Sequence, residues 1–229
     1  DTDNYQTPIC FSDSGTVGYG IIDTLGTAGT SADFTITRTL PTSAGTGTTL
    51  WFQAAWSTGN GWPRSVAFWN GALYFGGNLA FPDRIWKSQD FDIFELSNPD
   101  TQDPGTDNTA DDPFFGDLAV SSEGTTEIRW LAGGQRDLLV GTNQGEIAIS
   151  SWNSAEISAK PQTASGSAKV QPAMVNGIPV YVQKGGRKLR EIIFDDRTQG
   201  DASPDLTYLA EHLAKESLNE ITGATLPPK

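Results

Sequence analysis

A single cysteine and a single histidine in 229 residues set the first limits. Cys10, in a flexible-looking stretch, builds no internal disulfide framework and no cysteine-rich metal site. It also lacks a nearby histidine or basic cluster to depress its pKa. His212 alone cannot assemble a multi-histidine zinc site. A serine hydrolase needs nucleophile, imidazole and carboxylate together, and no G-x-S-x-G elbow occurs. No glycine-rich stretch ends in the Gly-Lys-Ser/Thr of a phosphate loop; "GTNQGE" has no lysine and falls between strand candidates. No apolar run approaches the ~20 residues that a membrane-crossing helix needs. The chain opens at Asp1 with neither an initiator Met nor a basic signal segment, so a processed product or part of something longer is expected. No catalytic residue, cofactor or metal is expected.

Basic residues are scarce too: 15 Lys and Arg stand against 28 Asp and Glu, a formal net charge of -13. Such a surface repels phosphate backbones, which argues against sequence-independent nucleic-acid binding. It suits a solvated surface, or a channel lining to which passing DNA does not stick. Glycine is abundant, at 25 residues, and with 13 prolines and much Ser and Thr it points to short strands and many turns.

Residues 1–55 read as a Gly/Ser/Thr-rich β element or the end of a preceding domain, with one alternating run, "DFTITRTL". "LWFQAAW" gives a strand or an aromatic anchor. From Gly61 the pattern sharpens. "SVAFWN" and "ALYFGG" flank Asn70-Gly71, the dipeptide that best supports a two-residue hairpin. "RIWKSQ" predicts a third strand and "FDIFELS" a fourth. Asn98 to Phe114 is an acidic loop whose spacing does not match a twelve-residue calcium loop. The pattern then returns as "TTEIRWLAGG", "DLLVGT" and "EIAISSW", and, after a polar stretch, as "QPAMV", "IPVYVQ" and "KLREIIF". The inner strands "ALYFGG", "DLLVGT" and "PVYVQK" are offset by 65 and then 42 residues. Repeated strand–turn units predict β-propeller-like blades over residues 56–200, each burying its faces against neighbours. Three units do not close a propeller, so the blades are incomplete within this chain. A β-sandwich is the rival fold. Residues 201–229 are expected to hold one helix, Ser203 to Gly223, and an extended tail.

Two sharper chemistries remain. Asp83, Asp90, Asp92, Glu95, Asp111, Asp112, Asp195 and Asp196 are numerous enough for a glycosidase-like pair, with Trp62, Trp69 and Trp86 to stack on sugar rings. "GGRKLRE", Gly185 to Glu191, is the densest basic cluster and could meet an acidic partner or DNA.

"GWPRSVAFWNGALYFGG" followed by "PDRIWKSQDFDIFELS" resembles the G-x-P-R-x-V-x-F…R-L-x-F-G-G…P-x-x-I-W-x-S-x-x-x-D-F-x-x-F segment of tail tubular, or nozzle, proteins of short-tailed bacteriophages. "LLVGTNQGE", "VYVQKGGRKLREIIFD" and "DLTYLAEHL" resemble that family's later segments in the same order, covering about residues 56–215. Ala72 departs from the family's usual arginine, "DFDIF" replaces a glycine-containing version, and the first fifty residues match no part of the family pattern. The resemblance implies a longer protein with this chain as its C-terminal part, and a virion tail location. It implies six copies forming a tube below an adaptor and portal, tail fibres or spikes at its border, and a genome first retained and then conducted on infection without specific binding or an enzymatic step. Gly61, Pro63, Arg64, Phe68, Asn70, Gly71, Phe75 and Gly76 would be blade core and turns, as would Trp86, Asp90, Phe91 and Phe94. Gly141, Thr142, Gly145, Gly186, Arg190 and Glu191 carry the later motifs. Arg187, Lys188, Asp111 and Asp112 are the candidate contacts to partners. A propeller-type carbohydrate-binding module or glycosidase is the alternative, and a scaffold propeller with protein partners a third reading.

Overall fold

Seventeen strands and no helix are found among the described residues, 8–13, 16–25, 31–39, 50–53, 55–57, 59–96, 109–118, 126–195 and 200–209 of a computed structural model. All the strand pairings are antiparallel. β1 (Pro8–Asp13), β2 (Thr16–Leu25), β3 (Ala32–Arg38) and β4 (Leu50–Gln53) form a sheet in the order β3-β2-β1-β4. Cys10 therefore lies in a strand paired on both sides, opposite Tyr19 and Phe52, and the flexible stretch expected there is corrected.

The next three sheets run in chain order. β5 (Ser65–Trp69), β6 (Ala72–Gly76), β7 (Arg84–Lys87) and β8 (Phe114–Asp117) form one. β9 (Ile128–Gly133), β10 (Leu138–Thr142), β11 (Glu146–Trp152) and β12 (Ile157–Thr163) form another, and β13 (Ala173–Val175), β14 (Ile178–Val182) and β15 (Leu189–Glu191) a third. β16 (Ile193–Asp195) pairs with β17 (Gly200–Ala202). Asn70-Gly71 and Asn176-Gly177 turn the β5–β6 and β13–β14 hairpins with both residues at positive φ, 46° and 83° in the first, 51° and 81° in the second. That is the backbone a twisted two-residue hairpin requires.

The β9–β12 sheet is the middle layer of a stack. Every residue of β10 is buried. Leu138 and Val140, with Ile147 and Ile149 of β11, pack on Ala72, Tyr74 and Ile85 of the β5–β8 sheet. The intervening residues Leu139 and Ala148 pack the other way, with Trp130, on Tyr181. Period-two alternation thus yields two apolar faces from one strand. In β9, Trp130 pairs with Gly141 and Ile128 with Thr142, leaving Arg129 without a partner residue on β10. This bulge lets Ile128 and Leu131 share the face toward β5–β8 although three positions separate them.

Several strand boundaries differ from those the sequence pattern gives. "FDIFELS" is not the fourth strand. Phe91 takes φ 64°, Gln89 bridges Asp92, and the Asp92 carboxylate accepts the Phe94 N–H at 3.2 Å, closing a tight turn. The fourth strand is β8, beyond the acidic segment. The polar stretch after Trp152 holds β12, an edge strand that tolerates Pro161. "KLREIIF" is divided at Ile192, because β15 pairs with β14 whereas β16 pairs with β17. Of the expected helix, residues 203–209 show a bridge from Asp205 to Arg190 and then a turn. Residues 210–229, with His212, lie outside the described residues, as do residues 98–108 of the acidic segment and Asp196.

Candidate functional site

The residues of the first motif organise the β5–β6 hairpin. Gly61 donates its N–H to the Ser57 carbonyl at 2.8 Å, and Pro63 leads into Arg64, whose N–H is shared by the Gly76 and Gly77 carbonyls. Phe75 meets Trp56 edge-on at 4.6 Å, and Trp86 meets it at 5.7 Å. Trp56 is thus the anchor that "LWFQAAW" suggested. Asn78, fully buried, accepts the Phe81 N–H at 2.6 Å and donates to the Ala55 carbonyl at 3.2 Å.

Phe68, Phe91 and Phe94 are not core, which corrects the expectation for them: they are 61%, 92% and 86% exposed. In β5 the face packed against the core belongs to Ala67 and Trp69, so Val66 and Phe68 point away from the β9–β12 sheet. Phe91 lies against Gly71 of the hairpin turn, 3.1 Å from where a Cβ would be. Trp62 and Leu79 are exposed near the other end of the hairpin. Trp62, Val66, Phe68, Leu79, Phe91 and Phe94 are thus large apolar side chains exposed within residues 61–96.

Lys87 carries a charge that sequence reasoning missed. Its side chain is 4% exposed, and its ammonium meets the Asp90 carboxylate at 2.7 Å and the Ala110 carbonyl at 2.9 Å. The Lys-x-x-Asp spacing was the available signal. Burial, then the Asp90 carboxylate, pushes the nearby Tyr74 phenol well above its ordinary pKa. Asp111 is exposed and accepts the Asp90 N–H on its carbonyl. The Asp112 carboxylate accepts the Thr109 N–H at 2.7 Å. These acidic residues thus bind their own turn to β7.

The later motifs also have internal partners. Gly141 lies under the Trp130 indole. The Thr142 hydroxyl donates to the Gly145 carbonyl at 2.7 Å and accepts the Gly145 N–H, shaping the β10–β11 turn. Glu146, fully buried, accepts hydrogen bonds from the Thr163 and Ser167 hydroxyls. In the basic cluster, Gly186 closes the turn on the Gln183 carbonyl. Arg190 donates to the Gln183 side chain and the Ser203 carbonyl, and half-buried Glu191 pairs with Val180. Lys188 meets Asp205 at 3.0 Å, and Arg187 is exposed. The Thr207 hydroxyl, with help from Lys188, holds the Asp205 carboxyl down at about 2. Arg190 and Lys188 are thus engaged within the chain.

No family model matches the chain, and no curated protein sequence does.

Among the described residues no group of three or more His, Cys, Asp or Glu could hold a metal ion. Of the tryptophans considered for sugar stacking, Trp86 is buried beneath Trp56 and Trp69 packs on Tyr74, leaving Trp62 exposed.

One ionic cluster crosses the sheets. Glu127, just before β9, pairs with Arg64, just before β5, and with Arg129 of the bulge at 2.9 Å. Lys169, ahead of β13, reaches the same Oε1 as Arg64, at 3.5 Å. Sequence reasoning missed this cluster because its members are 63 and 42 residues from Glu127.

Proposed function

We propose that the chain is a structural subunit of a short-tailed phage tail tube, its stacked sheets being blades of a β-propeller. The observation that carries this reading is the exposure of six large apolar side chains, Trp62, Val66, Phe68, Leu79, Phe91 and Phe94, within one 33-residue stretch of a strongly acidic protein. Exposure of that kind calls for protein partners. The order of the motif segments supports the family assignment. So does the role of the other motif residues, apart from exposed Phe68, Phe91 and Phe94: they shape turns, pack between sheets or bond to neighbouring strands. Successive antiparallel meanders, with β5 alongside β9 so that the Phe68 carbonyl abuts Gly133, suit blades around an axis.

In this reading six copies form the tube, an adaptor and fibres bind its outside, and DNA passes without specific contacts. The net charge of -13 disfavours retention of the genome on the wall. No catalytic step is involved. Electron microscopy of the purified protein at high concentration, without crosslinker, tests the proposal. Closed six-fold rings or tubes with a central channel are the expected result. A persistent monomer with a wet pocket holding two carboxylates beside Trp62 would overturn it in favour of sugar binding.

A further inference from the structure

Three cations converge on one carboxylate at Glu127. Arg64 and Lys169 address its Oε1, and the Arg129 Nη2 addresses its Oε2. Counted over the described residues, the group keeps a formal charge of +2 in a chain whose total is -13. Like charges this close repel unless further negative charge is supplied. Arg129 adds a second sign of incompleteness: among the described residues its enclosed Nε and Nη1 have no hydrogen-bond partner. Such unmatched donors are costly in a sparsely hydrated setting. Access is open on one side, since the Lys169 side chain is 68% exposed and that of Arg64 33%.

We propose that Arg64, Arg129 and Lys169 form an oxyanion-binding site, with Glu127 holding the cations in register until the anion arrives. Guanidinium groups match the planar, two-oxygen face of a carboxylate or phosphate, and a lysine supplies a mobile point charge. The ligand is either a free phosphate-class anion or the carboxylate of an acidic partner. Because the cations stand at the entries to β5, β9 and β13, occupancy would tie three sheets together. The site stands whether or not the sheets close into a ring.

Isothermal titration calorimetry at constant ionic strength tests this, with sodium phosphate replacing chloride in one arm and tetraglutamate added in the other. Saturable one-to-one binding is expected in at least one arm. Phosphate binding assigns a free-anion site, and tetraglutamate binding alone assigns the seat of an acidic partner. Lys169→Gln, at the exposed edge, is expected to weaken the binding about tenfold, the equivalent of about 1.4 kcal/mol. Glu127→Gln is expected to tighten it, because the competing carboxylate is gone, a response that a purely structural ion pair would not give. No saturable heat in either arm overturns the proposal, as does an affinity unchanged in Lys169→Gln. Should Glu127→Gln fail to fold, the comparison of the parent protein with Lys169→Gln decides.

Discussion

The indole of Trp130 in β9 lies directly across Gly141 in β10, occupying the space a side chain at that position would need. The pair is fully buried at the tryptophan, which also meets Tyr181 of the neighbouring sheet at 5.6 Å. A glycine inside a buried strand is thereby explained by close approach, and the neighbouring sheet is positioned through it.

Gly141→Ala is expected to destabilise the protein by about 1–3 kcal/mol, the usual cost of overpacking a filled core. Urea unfolding followed by tryptophan fluorescence measures it. An unchanged midpoint would show that the indole moves aside freely.

Lys87 and Asp90 form a pair whose ammonium is almost wholly enclosed. Asp90→Asn leaves that charge with neutral oxygens alone and should cost about 3 kcal/mol. Replacing both by Met and Asn is expected to recover part of the loss. A double-mutant cycle in thermal unfolding checks the coupling.

Asp205 makes part of the stability acid-sensitive. Its carboxyl is lowered from 3.8 to about 2 in the folded chain, first by the Thr207 hydroxyl. Its contribution is therefore complete well above pH ~4, begins to fade near pH ~4, and is lost as pH falls through about 2, below which both states are protonated. Thr207→Val should bring the carboxyl back toward the ordinary aspartate value, read by carboxyl NMR titration. No movement of that resonance would remove Thr207 as the cause.

Phe91→Ser combined with Phe94→Ser should leave thermal unfolding nearly unchanged, because both rings face solvent. The same double variant should lose self-association in sedimentation velocity. Intact association would place the contact surface elsewhere.

Much of the strand pattern was legible because its signals are local. Asn70-Gly71 and Asn176-Gly177 have one favoured backbone geometry, and the apolar runs of β10 and β14 have strand length. The sign of each face was not legible. Val66 and Phe68 alternate as well as Ala67 and Trp69, and the packing of β9 decides which pair is inward. β8 escaped because the acidic segment separates it from β7, and β12 because an edge strand with Pro161 has little apolar content. Lys87 escaped because its burial depends on the Ala110 carbonyl of a distant turn, which leaves no trace in side-chain chemistry, and the Lys-x-x-Asp spacing to Asp90 does not by itself mark a buried pair. The Glu127 cluster depends on three strand entries meeting in space.

The covering of the β9–β12 sheet on both faces also fixes a sequence of events. Amide protons of β10 have neither an exposed edge nor an exposed face, so their exchange with deuterium waits for a neighbouring sheet to detach. Those of β12 and β13 exchange through smaller openings. Unfolding therefore proceeds from the outer layers inward, and the last protected amides are those of Leu138–Thr142.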